Sequence, residues 1–208
     1  MPGFKTIDPT KDAEPFIPYV DEKDFAPQLR PVVEPYKKRM GFLPNALRLH
    51  AWRPEIAETL WKLNSLVMRD PSSTLDQFLK RRCAAIACST NGCKYCTAHS
   101  CSMLKRTDPA SEGWGMAEGD VRALVDVDLQ PKIEMERVCF DFARMASESP
   151  AGVPDEVYVR LKQHLTPAQI VELANVIAFW KYYNTLHDCL RIPVETELIP
   201  DTVYAKVA

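Results

Sequence analysis

From Leu43 onward the apolar residues of this chain fall at three- and four-residue steps, the spacing of one face of a helix. Ile56, Leu60, Leu63, Leu66 and Val67 line one such face behind Pro54, a residue tolerated in a first helical turn. Asp70-Pro71-Ser72-Ser73-Thr74 ends that helix. A second helix is predicted from about Leu75 to Ser89, with Thr74 as its N-cap, and Asn91-Gly92 stops it. A third begins at the Cys93/Cys96 pair and runs through Leu104. Thr107 to Gly119 reads as a loop that leads into a short helix through Leu124. Further helices are predicted over Ile133 to Ser147, over Asp155 to His164, and from Pro167 to about Leu190 with Thr166 as cap. No stretch alternates β-branched residues in the manner of a sheet, so the expected fold class is all-α.

Residues 1–39 break the pattern. Pro2, Pro9, Pro15, Pro18, Pro27, Pro31 and Pro35 predict an extended arm with at most short helical turns. Phe16, Ile17, Tyr19, Val20 and Phe25 give the arm enough apolar surface to need a partner, either the body or a neighbouring subunit. The expected division is this arm, a helical domain over 40–195, and a tail over 196–208. Leu75 to Ala98 lies without gaps on Leu165 to Asp188, with Ala84 on Ala174. That echo fits either two related helical halves or two amphipathic helices of ordinary design.

Composition narrows the classes. The hydrophobic share is 46%, the charged share 26% and the formal net charge −2, which gives no broad pull toward nucleic acid or anionic lipid. The first residues lack the apolar core of a signal peptide, and no apolar run reaches the length of a membrane span. The expectation is a cytoplasmic protein in which most of the seven cysteines are reduced, buried and apolar in character.

Cys93 and Cys96 are the exception. A Cys-x-x-Cys pair can cycle between dithiol and disulfide with little backbone movement, or it can hold a metal. The metal reading lacks a second ligand pair elsewhere in the chain. The attacking species is a thiolate, and the predicted helix start favours an anion there. His99 lies about one turn beyond Cys96, within reach for proton exchange, and Arg81 on the preceding helix could bring positive charge near. A thiolate that attacks a peroxide becomes a sulfenic acid, which a neighbouring thiol closes to a disulfide.

Asn91-Gly92-Cys93, Tyr95-Cys96, Ala98-His99, Gly41-Phe42-Leu43-Pro44-Asn45, the Glu118 to Leu124 turn, and Ile177-Ala178-Phe179 with Tyr182 and Asn184 form a set. Over residues 40–195 the set resembles the alkylhydroperoxidase D-like, carboxymuconolactone-decarboxylase-like family, in its peroxidase-related branch. The resemblance implies an all-helical bundle, homo-oligomers, no cofactor, and thiol peroxidase chemistry. In that chemistry Cys96 takes the hydroperoxide, Cys93 resolves, and a dithiol reductant recovers the pair. The family's relay glutamate corresponds to Arg81 here and its relay histidine to Ser100, with His99 one residue earlier. The candidate site is therefore Cys93, Cys96 and His99, supported by Arg81, Ser100 and Tyr95.

Two other classes stay open. One is a non-redox lyase or isomerase using Arg81 and His99 in the same helical pocket. The other is a non-catalytic oligomer that binds a metal or a partner. Outside the motif, His187-Asp188 could approach the site from the last helix. His50 and His164 read as structural, Glu172 as a solvated face residue, Cys88 as a buried apolar one, and the aromatic residues as core or pocket lining.

Overall fold

The computed structural model describes residues 15–107, 113–126, 131–196 and 198. Among them are nine α-helices and no strand: α1 Arg30–Met40, α2 Asn45–His50, α3 Pro54–Arg69, α4 Gln77–Thr90, α5 Lys94–Lys105, α6 Glu118–Val125, α7 Glu134–Glu148, α8 Asp155–His164 and α9 Pro167–Cys189. The all-α expectation holds. The predicted tail beyond residue 198 and the first 14 residues lie outside the described residues.

Helix α4 is the axle. Cys83, Ala84, Ala85, Ile86, Ala87 and Cys88 are all buried, so it carries apolar residues around its whole circumference. The small side chains let α5, α7 and α9 pack closely on it. One side of α4 joins α6, α7 and α8 through Leu79, Ile86, Val138, Phe142 and Leu161. The other side joins α2, α3, α5 and α9 through Leu60, Met68, Cys88, Cys96, Val176 and Phe179. The Cys93/Cys96 pair belongs to this second core.

Local signals set most helix ends. Thr166 and Gln169 form a reciprocal capping box at α9, ahead of Pro167. Gly92 takes φ +76° after α4, a conformation that costs glycine little. The cap of α4 differs from the expected Thr74. The Asp76 carboxylate accepts from the Leu79 N–H at 2.6 Å, while the Thr74 carbonyl accepts from Gln169 Nε2 at 2.9 Å. Asp76 and Thr166 are equivalent positions in the internal echo, but beyond them it lays the unbroken α9 over a helix, a turn and the start of another.

Two expectations are corrected. The proline-rich stretch is not extended throughout: after two 3-10 turns, Glu22–Asp24 and Pro27–Leu29, it forms the 11-residue α1. Pro31 falls in the first turn, where no N–H is needed, and Pro35 forfeits a single bond; Leu29 and Val33 bury against α3. On α3 the buried stripe is Ala57, Leu60, Trp61, Asn64, Val67 and Met68. Ile56, Leu63 and Leu66 face outward, because Asn64 and Trp61 supply the inward positions. No helix among the described residues is long and apolar enough to cross a membrane.

Candidate active site

Cys93 is the N-cap of α5, and its sulfur accepts from the Cys96 backbone N–H at 3.4 Å. The Cys-x-x-Cys spacing thus places one sulfur on the helix axis and the other one turn in. Both thiols are free and fully buried. Cys88 reaches the same place from the last turn of α4, with its sulfur 3.6 Å from Ser100 Oγ. Burial pushes the Cys96 thiol well above its usual range, and the neighbouring thiols of Cys88 and Cys93 add to that. At Cys93 the Cys96 thiol pulls the pKa down, but burial and Asp188 outweigh it and the net shift is upward.

The imidazole that meets Cys96 comes from the end of α9. His187 Nδ1 lies 3.1 Å from Cys96 Sγ. Its ring stacks on Tyr183 at 4.9 Å, tilts against His50 at 5.2 Å and takes the edge of Tyr95 at 5.1 Å. Burial, then the charges of His50 and His99, hold the His187 pKa well below 6.5, so the ring is neutral at pH 7 and able to accept a proton. Neither ring nitrogen of His50, nor Nε2 of His187, has a hydrogen-bond partner among the described residues. Burial raises the pKa of Asp188, and the nearby Cys93 thiol pulls it the other way.

His99 turns elsewhere, which corrects the expectation that it partners Cys96. One step along a helix rotates a side chain by about 100°. His99 Nε2 lies 2.7 Å from Glu195 Oε2. The other oxygen of Glu195 accepts from Tyr95 Oη at 2.7 Å and from the Asn45 N–H at 2.6 Å. Burial raises the Glu195 pKa, but His99 and these hydrogen bonds outweigh it and leave the carboxylate below its usual value. Tyr95 stays protonated, since burial and the Glu195 charge raise its pKa. Tyr95 therefore acts as a strut, packed on His99 at 4.4 Å and on His187.

The supporting residues divide in the same way. Ser100 touches Cys88. Arg81 lines a small cavity together with His99 and Ser100, and is not among the leading influences on Cys96. Glu172 is no solvated residue: it pairs with the fully buried Lys80 at 2.6 Å. Glu195 was missed because nothing local marks it at the very end of the predicted domain, beyond the last predicted helix. His187 carried a signal, since it continues the buried stripe Leu173, Val176, Tyr183 of α9. No group of three or more His, Cys, Asp or Glu among the described residues is placed to hold a metal ion.

No protein-family model and no curated protein matches the chain. Solved structures do. The debrominase Bmp8, as a cysteine-to-alanine variant in complex with 2,3,4-tribromopyrrole, aligns with a TM-score of 0.76 at 23% identity over 90% of this chain and 95% of its own. An uncharacterized peroxidase-related protein with an alkylhydroperoxidase AhpD core from Ralstonia eutropha JMP134 aligns with a TM-score of 0.76 at 16% identity over 88% and 94%. An uncharacterized peroxidase-related protein from Silicibacter sp. TM1040 gives 0.74 at 19% over 88% and 92%. This chain has the alkylhydroperoxidase D-like all-α fold, which peroxidase-related proteins and a debrominase share.

Proposed function

We propose that the protein is a thiol-dependent reductase in which the Cys93/Cys96 dithiol delivers two electrons to a hydroperoxide. The observation that carries this reading is the 3.1 Å contact between Cys96 Sγ and the neutral, buried His187 Nδ1, beside a second thiol at the helix N-cap. His187 takes the Cys96 proton as the sulfur attacks the distal peroxide oxygen. The O–O bond breaks, a sulfenic acid forms on Cys96, and the alkoxide leaves as an alcohol with the proton from His187. The Cys93 sulfur then attacks the Cys96 sulfur, and the sulfenic hydroxyl departs as water with the Cys93 proton. An external dithiol reduces the disulfide and restores both thiols.

Cys96→Ser should abolish peroxide-dependent oxidation of an added dithiol, measured as dithiol consumed per peroxide. Full turnover in that variant would overturn the proposal; a non-redox lyase or isomerase predicts instead an activity that needs no dithiol and survives loss of both thiols.

A second reading rests on the likeness to the debrominase. The same dithiol could reduce an aryl bromide, with the sulfur taking bromine and the ring taking a proton. Attack by the second thiol then gives the disulfide and bromide. Bromide release from a brominated pyrrole, against alcohol formation from a hydroperoxide, separates the two.

A further inference from the structure

Three thiols meet where α4 gives way to α5. The turn between these helices is tight: the Gly92 N–H donates to the Ser89 carbonyl at 2.9 Å, and the Cys93 N–H to the Cys88 carbonyl at 3.3 Å. Cys88 is fully buried there, and its sulfur lies 3.6 Å from Ser100 Oγ. Ser100 follows Cys96 by four positions, which on a helix puts the two β-carbons about 5–6 Å apart on one face. Cys88 thus holds the Cys93 N–H with its carbonyl and touches Ser100 with its sulfur. It spans the first two turns of α5, and Cys96 lies between those two contacts. Cys88, Cys93 and Cys96 share one buried cluster. After burial itself, Cys88 is the largest influence on the ionisation of Cys96, ahead of Cys93.

The Cys96 sulfur is therefore approached from three sides. His187 Nδ1 comes from α9 at 3.1 Å, Cys93 from the N-cap of α5, and Cys88 from the last turn of α4. A sulfenic acid is condensed by whichever thiol reaches it, because the step needs only a sulfur nucleophile and a proton for the departing hydroxyl. Burial keeps Cys88 and Cys93 alike away from other thiols, so the competition between them is internal to the site.

We infer that Cys88 is a second thiol partner of Cys96, closing a Cys88–Cys96 disulfide in competition with Cys93. In the proposed reaction the Cys88 sulfur attacks the sulfenic sulfur of Cys96, the S–O bond breaks, and the hydroxyl leaves as water with the Cys88 proton. The two electrons given to the peroxide then come from Cys88 and Cys96, and an external dithiol restores both. This step rests on Cys96 being the sulfur that takes the peroxide oxygen.

Cys93→Ser tests the inference, since serine also caps a helix. One equivalent of hydrogen peroxide, with no reductant present, should remove two thiols from this variant. A digest made without reduction should yield the Cys88 peptide joined to the Cys96 peptide. Cys88→Ala combined with Cys93→Ser should lose a single thiol and leave a sulfenic acid on Cys96 that dimedone traps. In the unaltered chain the Cys88–Cys96 link should accompany the Cys93–Cys96 disulfide.

Dimedone-trapped Cys96 beside a free Cys88 in Cys93→Ser would overturn the inference. Diamide, which couples two thiols directly, separates this from the peroxide reading. If peroxide leaves Cys96 intact even in the unaltered chain, the peroxide reading fails, and a diamide-made Cys88–Cys96 link upholds the pairing. Absence of that link after diamide treatment of Cys93→Ser would overturn the pairing whatever peroxide does.

Discussion

Burial holds both Cys96 and His187 in their uncharged forms. Burial raises the thiol pKa and lowers that of the imidazole, so a thiolate–imidazolium pair is disfavoured in the closed site. In the proposed reaction the thiolate would therefore form as the proton moves to Nδ1 during attack, not beforehand. A free thiol ionises near pH 8.5, and Cys96 lies well above that. The rate of reaction with hydroperoxide should accordingly stay level near neutrality, where His187 is neutral and Cys96 protonated, and rise only beyond pH 9 as the thiol itself ionises. His187→Phe keeps the ring stack and removes the base, and should lower kcat/KM at pH 7 by about 10²-fold or more. Stopped-flow oxidation across pH 6–10 checks both, and a variant rate within about twofold of wild type would remove His187 from the chemistry. That Cys93 and Cys96 lie together at the start of α5 was legible because their relation is local. The partner of Cys96 was less legible, since His187 stands 91 residues away and proximity in sequence favours His99.

At the scale of helices, Lys80 joins three elements. Its fully buried Nζ donates to Glu172 Oε1 at 2.6 Å on α9, to the Val67 carbonyl at 3.2 Å on α3, and to Ser73 Oγ at 3.1 Å in the turn before α4. Ser73 in turn donates to Glu172. Glu172→Ala would leave the ammonium buried without a counter-charge and should cost about 3–5 kcal/mol, read from urea denaturation. Lys80→Met combined with Glu172→Leu should recover most of that loss, because an apolar pair of similar volume avoids the desolvation. If the single variant loses under about 1 kcal/mol, the pair is no tie between α4 and α9. Helix positions were legible because caps, breaks and periods are local: Thr166, Gly92 and Pro54 each act within one turn. Which residue of a stripe turns inward was less so. On α3, Asn64 is buried and Leu63 exposed, a choice made by Arg69 and the neighbouring helices and not by hydropathy.

Over the whole molecule, three buried groups make stability depend on acid. Burial pushes His50 down to about 4 from 6.5. The unfolded chain therefore takes up a proton below about pH 6.5 that the folded chain refuses until about pH 4, and stability falls as pH drops through that window. A depression of this size corresponds to about 3 kcal/mol for His50. His187, shifted the same way, adds to it. Glu195 acts lower. Its pKa lies below 4.5, so the stability it contributes is present above that value and is lost as pH falls through its folded pKa. It clamps Asn45, Tyr95 and His99, joining the start of α2 to α5 across 150 and 100 residues. Urea midpoints should therefore fall steadily between pH 6.5 and 4.5, before most carboxylates titrate. His50→Phe removes one of the two titrating imidazoles, together with its two unpartnered nitrogens, and should flatten that slope. A midpoint that stays constant over the window would mean that the folded protein admits a proton on the histidines. The closed, uncharged Cys96–His187 site, and the pH profile argued from it, would then both be wrong.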